Sequence, residues 1–206
     1  MIDLNTLNNE LDNYISYFDY IIVADVLEHL INPLPVLNKL KNYLNKSGKI
    51  IISLPNISHC SIKLSLLNGT FNYYECGILD ETHLRFFDIH NAIKLATDAS
   101  LKVSNISRTF SEVDYIEPKA YFREYSKNIV EYATKDYESF TLQFIITLEN
   151  PIDDLIKEHN KAWLLNREYL KPKIQEMKEN QYKKEHKAYR KQIKNKLKRF
   201  FRIGKK

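Results

Sequence analysis

Residues Tyr17–His59 read YFDYIIVADVLEHLINPLPVLNKLKNYLNKSGKIIISLPNISH, and they set the architecture expected of the rest. Tyr20–Ala24 (YIIVA) is a short continuous apolar run rich in branched residues, the pattern of a strand covered on both faces. Pro33 opens a helix, along which Leu34, Val36, Leu37, Leu40 and Leu44 recur at three- and four-residue spacing. Gly48, following Lys46 and Ser47, reads as the helix stop. Ile50, Ile51, Ile52 and Leu54 predict a second buried strand, halted by Pro55-Asn56. Two apolar strands joined through a helix form a βαβ unit, so a parallel sheet is expected. Ligands of such sheets bind beyond the carboxyl ends of the strands. Asp25, Glu28, His29, Asn56 and His59 all fall there.

Elsewhere the pattern is simpler. Leu4, Leu7, Leu11 and Ile15 suggest a short amphipathic helix. Cys60–Leu67 reads as a helix ending at Asn68-Gly69, and the aromatic, turn-rich 71–83 stretch as a loop over the strand ends. Asp88 is an N-cap for a helix that turns Ile89, Ala92, Ile93, Leu95 and Ala96 inward. Residues 101–110 and 141–148 are further strands, separated by a Tyr-rich segment that is helical in part. Asn150-Pro151 marks a boundary, giving an α/β domain over 1–150 and a helical basic tail over 151–206.

The formal charge of +5 hides a split: residues 151–206 carry 18 Lys/Arg against 7 Asp/Glu, leaving 13 against 19 in residues 1–150. In the tail, Ile152, Ile156, Trp163, Leu170 and Met177 follow a heptad pattern broken by Pro172, a seam short enough to pack on its own domain or on a partner. Lys187–Lys206 holds ten Lys/Arg and no acid, with Tyr189, Ile193, Leu197, Phe200 and Phe201 on one helical face. Such a stretch is either a solvated tail or a binder of an anionic membrane surface, with nucleic acid behind membrane because the aromatics cluster. Cys60 and Cys76 have no metal-type spacing and are expected as reduced thiols. The acidic, polar start and the lack of any apolar run near the roughly 20 residues of a membrane span predict a soluble, cytoplasmic protein, peripheral to a membrane if the tail binds one.

Three motifs together carry a family resemblance: Asp25–Leu30 (DVLEHL), Ser53–Asn56 (SLPN) and Thr82–Phe87 (THLRFF). At this spacing the chain resembles the class I S-adenosylmethionine-dependent methyltransferases, closest to a bacterial subgroup with D-x-L-E-H-L, S-x-P-N and T-H-L-R-F-F. The resemblance covers residues 1–110 and, loosely, 141–149. It implies a Rossmann-like sheet, mostly parallel with an antiparallel last strand, in which Tyr20–Ala24 and Lys49–Pro55 are the fourth and fifth strands. The three preceding strands and their glycine-rich loop have no counterpart: no glycine precedes Gly48. The expectation is therefore the carboxyl-terminal half of the domain, a fragment whose open sheet edge invites a second chain or a copy of itself.

The resemblance also implies roles. Asp3 and Leu4 would contact the adenine, and Ala24 and Asp25 the methionine part of S-adenosylmethionine. Asp25, Glu28 and His29, spaced for one face of a helical turn, would line the methyl-transfer pocket. His29 would act there as general base, since imidazole titrates near neutrality. His59, His83 and Arg85 would meet a small-molecule or saccharide acceptor, Arg85 suiting a phosphate or carboxylate. Two other readings stay open. Asp25, Glu28, His29 and His59 resemble an E-x-x-E-H cluster that holds a divalent metal in some O-methyltransferases, or Glu28 and His29 merely cap a helix start. Arg85 has an alternative too, pairing with Asp80 or Asp88 to pin its loop. A non-catalytic relic or binding subunit, tethered by its tail, is the competing reading of the whole chain.

Overall fold

The computed structural model describes residues 4, 11–111, 125–151, 155–181, 183, 187 and 191. In it the apolar run of residues 20–24 becomes strand β1, Phe18–Ala24, joined through helix α1, Pro33–Leu40, to strand β2, Leu44–Pro55. β1 and β2 are parallel, with Val23 opposite Ile52 and Ala24 opposite Ser53. Helix α1 ends earlier and β2 begins earlier than leucine spacing suggests. Leu44 is buried as a strand residue, after a single 3-10 turn at Lys41–Tyr43. Gly48 stops no helix. It lies in β2 where the register jumps, Phe18 facing Leu44 and Tyr20 facing Lys49. A Cβ at Gly48 would come 2.7 Å from the Phe18 carbonyl oxygen, so the bulged strand can close on β1 only with glycine there.

Helices α2, Cys60–Leu67, and α3, Ile89–Asp98, form where the pattern predicts them. Asp88 caps α3, its carboxylate accepting from the Asn91 amide at 2.8 Å. Strands β3, Lys102–Phe110, and β4, Thr141–Glu149, follow, with α4, Lys127–Ala133, between them in the Tyr-rich segment. The pairing departs from expectation. The order is β1-β2-β4-β3, and β4 runs antiparallel to both its neighbours. The sheet is therefore mostly antiparallel in its pairing, not mostly parallel. The cause is where the chain returns: Thr141 starts β4 opposite Phe110, at the end where β3 leaves the sheet, so β4 must run back.

One face of the sheet carries the core. Val23, Ile52, Ile146 and Ile106 make a row across all four strands, and Ile50, Leu148 and Val103 the next. Val36, Leu37 and Leu40 of α1 and Ile89, Ala92, Ile93 and Ala96 of α3 belong to the same cluster. Each such buried valine, leucine or isoleucine contributes roughly 1.5–3 kcal/mol. The opposite face leaves Tyr20 and Ile22 of β1 61% and 71% exposed, with Ile51 and Ile145 half-buried.

The two sheet edges are treated differently. Helix α5, Ile156–Leu165, lies along β3. Asn160, fully buried, accepts from the Val103 amide at 2.8 Å and donates to the Leu101 carbonyl at 2.9 Å. His159 and Trp163 each donate to the Val103 carbonyl at 3.0 Å. Among the described residues, β1 pairs only with β2.

Beyond α5, helical backbone runs over 171–181, with Pro172 near its start, where proline is tolerated. Leu170, Ile174 and Met177 join Cys60, Leu64, Ala133 and Phe140 in a second cluster. Residues 155–181 are thus packed on β3 and α3 through α5 and into this second cluster beyond it. Arg167 of this segment joins a buried ion pair, Arg108–Glu138, whose two members lie outside it, and Tyr169 accepts from Arg108 at 2.9 Å. Arg108 of β3 donates to both Glu138 oxygens at 2.8 Å, and Arg167 approaches Glu138 at 3.7 Å. The aromatic face of 189–201 and the Leu7 turn lie outside the described residues. Leu4 and Leu11 pack against the main core, and Asp12–Tyr14 form a 3-10 turn. Cys60 is buried and Cys76 exposed, neither bonded to the other. No helix among the described residues is long and apolar enough to cross a membrane.

Candidate functional site

Beyond the carboxyl end of β1 the chain turns sharply. Asp25 takes a left-handed backbone, φ 51°, a conformation that aspartate tolerates better than most residues. Ser53, at the matching end of β2, fixes it: the Asp25 amide donates to Ser53 Oγ at 2.9 Å, and that hydroxyl donates to Asp25 Oδ1 at 2.9 Å. Gln143 of β4 also donates to Asp25 Oδ1. The serine of the S-x-P-N motif therefore positions the aspartate of the D-x-L-E-H-L turn.

A 3-10 turn, Leu27–His29, follows in place of the expected helical turn. It puts Glu28 and His29 into a cleft of about 320 Å³ shared with Asp25, Asp80, His83 and Gln143. The 71–86 loop closes the cleft from the other side, as its aromatic, turn-rich composition suggests. Its anchor is backbone: the Leu84 and Arg85 amides both donate to the Glu28 carbonyl, at 2.8 and 2.9 Å. His29 and His83 thereby meet edge to face, ring centres 4.7 Å apart.

The hydrogen bonds assign the imidazole tautomers. Thr82 donates its only hydroxyl proton to Asp80 at 2.6 Å, so toward His29 Nδ1, at 3.1 Å, that oxygen can only accept. His29 Nδ1 also faces the Thr82 carbonyl at 3.2 Å. It carries the proton, and Nε2 keeps the lone pair. His83 is set the same way, Nδ1 donating to the Ile78 carbonyl at 3.1 Å.

Glu28 is 1% exposed, and neither carboxylate oxygen has a hydrogen-bond partner among the described residues. Burial pushes its pKa up to about 7, helped by the neighbouring Asp25 and Asp80 charges. Hydrogen bonds from Thr82 hold Asp80 below the ordinary carboxylate range. Ligand atoms of Glu28, His29 and His83 all lie within 4.8 Å of one another.

Of the residues predicted from sequence, Asp25, Glu28, His29 and His83 come together in the cleft. His59 does not. It is fully buried at the head of α2, where Nδ1 accepts from the Ser61 amide at 3.3 Å and Nε2 donates to the Ser111 carbonyl at 3.3 Å. Burial pushes its pKa down to about 4, so it caps a helix as a neutral ring, and it is not among the residues that line the cleft. Arg85 is spent on the Ile31 carbonyl, which pins its loop to the turn after Leu30; neither acid considered for it is used. Asn56, buried, donates to the Glu138 and Thr141 carbonyls at 2.9 and 2.7 Å and ends the strand as expected. Ala24 is exposed at the strand end and Leu4 is half-buried, while Asp3 lies outside the described residues. Sequence reasoning missed Ser53, which stood in a quoted motif, and Gln143, which carried no signal.

A sequence family described as a methyltransferase domain matches residues 3–105. Among solved structures, a Bacillus halodurans C-125 protein described as a methyltransferase is 9% identical, with a TM-score of 0.47, over 73% of this chain and 70% of its own. A SAM-dependent methyltransferase from Archaeoglobus fulgidus is 18% identical, TM-score 0.46, over 72% of this chain and 66% of its own. For the Synechocystis magnesium protoporphyrin IX methyltransferase with bound SAH the values are 14%, 0.42, 73% and 49%. The chain thus spans between half and seven-tenths of these proteins' lengths. No curated protein matches in sequence.

Proposed function

The chain belongs to the methyltransferase-domain family, and on that premise we propose that its cleft transfers a methyl group from S-adenosylmethionine to an oxygen or nitrogen of a small-molecule or saccharide acceptor. One observation carries the reading: His29 stands in an acidic cleft beyond a parallel strand pair with Nδ1 held by Thr82 and Nε2 left as a base. S-adenosylmethionine supplies an electrophilic methyl group. The chain's own task is to hold the acceptor and take its proton. His29 Nε2 would accept the proton of a hydroxyl or amine as that atom takes the methyl group, the donor's carbon–sulfur bond breaking with its electrons left on the sulfur of S-adenosylhomocysteine. Glu28, beside it, favours the imidazolium that results. Ala24 and Asp25 lie where the methionine part of the donor would meet the strand end, with Asp25 preset by Ser53 and Gln143. His83 faces the acceptor.

Calorimetric titration of the full chain with S-adenosylhomocysteine tests the reading. Saturable one-to-one binding is expected, unchanged by His29→Gln, whereas methyl transfer to an accepted substrate falls about 10²- to 10⁴-fold in that variant, the usual share of a general base. A folded sample that binds no S-adenosylhomocysteine overturns it.

A second reading, a binding subunit without turnover, is favoured by the exposed Tyr20 and Ile22 on one sheet face and by the edge of β1 that has no strand partner among the described residues. In that case a second chain supplies the strand beside β1, and S-adenosylhomocysteine binds only to the pair.

A further inference from the structure

We infer that the acceptor of this cleft is a small primary or secondary amine, bound as its ammonium ion by the carboxylates of Glu28, Asp25 and Asp80. This rests on the methyl-transfer reading and narrows its acceptor to nitrogen. Charge is the first observation. Among the described residues three carboxylates line the cleft, and no lysine or arginine does. None of the three acids is in a salt bridge with a lysine or arginine of those residues. Arg85 is committed to the Ile31 carbonyl. An acceptor bearing phosphate or carboxylate would therefore meet acidic groups with no counterion.

Glu28 is the second observation, independent of the count. It lines the cleft, is 1% exposed, and has no partner for either oxygen among the described residues. Glu138, equally buried, has Arg108 at 2.8 Å and Arg167 at 3.7 Å. A carboxylate accepts hydrogen bonds and donates none, so Glu28 is completed by a cationic donor entering from the cleft. Burial has raised its pKa to about 7, and a cation alongside lowers it again, so the pair forms with Glu28 ionised. The other two acids keep their charge. Asp25 accepts from Ser53 and Gln143, and Asp80 from the Thr82 amide and hydroxyl, all neutral donors that fall on Oδ1.

An ammonium with N–H groups fits better than a quaternary cation, because His29 Nε2 is a base that needs a proton to take. Nε2 takes one proton from the ammonium. The freed lone pair then bonds to the methyl carbon, the donor's carbon–sulfur bond breaking with its electrons left on sulfur. The nitrogen ends as a methylammonium ion, and the His29 proton passes to solvent. Carboxylates that bind the ammonium also hold its proton, so release depends on the sulfonium: a second positive charge nearby lowers the ammonium's pKa.

The test titrates the tag-free full chain, in EDTA, with two matched sets of probes: glucosamine, glucose and glucuronate, then phenethylamine, phenethyl alcohol and phenylacetate. In at least one set the amine is expected to bind about tenfold or more tighter than its two partners. Glu28→Gln should erase that margin, which is the size of one hydrogen bond to a charged group. It keeps the side chain's shape and removes a buried charge, so it retains the fold. Asp80→Asn still accepts from Thr82 and should weaken the amine about threefold, whereas Asp98→Asn on α3 leaves it within about twofold. Amines that bind no tighter than their matched partners, or a margin that survives Glu28→Gln in a folded sample, overturn the inference. So does S-adenosylmethionine binding well above S-adenosylhomocysteine with no amine preference, which would give the acids to the donor's own charge. S-adenosylhomocysteine titration of the same samples separates the two ideas. Its binding without an amine preference leaves methyl transfer standing, and an amine preference without its binding rejects methyl transfer alone.

Discussion

His59 shows what a histidine costs when the fold needs it neutral. Its Nδ1 accepts from the Ser61 amide, so a proton there breaks the cap of α2 in a fully buried setting. The folded pKa, about 4, lies below the ordinary 6.5. Stability is then complete above pH 6.5 and drains as pH falls toward 4, by roughly 3 kcal/mol for a shift of this size. Urea unfolding at pH 7 and pH 5 should show the wild type losing about 2 kcal/mol at the lower pH. His59→Asn should start weaker and lose less. The sequence could not separate this histidine from His29. Both follow an apolar strand, and only the tertiary contacts with Ser61 and Ser111 enclose one of them. The cleft position of Glu28 and His29 was legible because their six-residue motif directly follows the apolar run that makes β1, although the turn is 3-10 and not the helical one expected. Their partner His83 stood in a legible motif, yet its loop must fold back across 54 residues before it touches His29.

Elements show a sharper division between what is local and what is not. Helices α2 and α3 were readable because capping and amphipathic spacing are local properties, and Asp88 does what its position predicts. The place of β4 was not readable, since alternation gives a strand but not its neighbours. Leu44 misled because a residue buried at helical spacing can be buried equally well from a strand. Three predictions belong here. Glu138→Ala strands Arg108, whose side chain is 2% exposed, without its carboxylate. It should cost about 3–5 kcal/mol in urea unfolding. Removing Asp98, which pairs with Lys94 on the surface, should cost no more than about 0.5 kcal/mol. Gly48→Ala drives a methyl group onto the Phe18 carbonyl oxygen and should cost about 1–3 kcal/mol by the same assay, because a strand bulge cannot rotate away.

At the scale of the molecule, charge separates the two parts as composition suggests, but packing does not follow charge. Residues 155–181 are bound into the structure through Asn160, Arg167 and Leu170. We propose that the basic stretch from Lys187 onward serves as the surface anchor. Sedimentation with anionic phosphatidylserine vesicles should retain the full chain at low salt and release it near 1 M salt, where the screening length falls to about 3 Å. A chain ending at residue 186 should stay in solution at both. The unequal sheet edges have a consequence for assembly. Val103 presents its amide and carbonyl outward, but Asn160, His159 and Trp163 consume both, whereas β1 has no such stopper among the described residues. We propose, in the language of polymerisation, that the described sheet is a monofunctional monomer: stoppered at Val103 on one edge, it couples once along β1, to a copy of itself or to a foreign strand, and coupling terminates growth. Concentrated solutions should therefore hold discrete pairs, with no fibres in light scattering at any protein concentration.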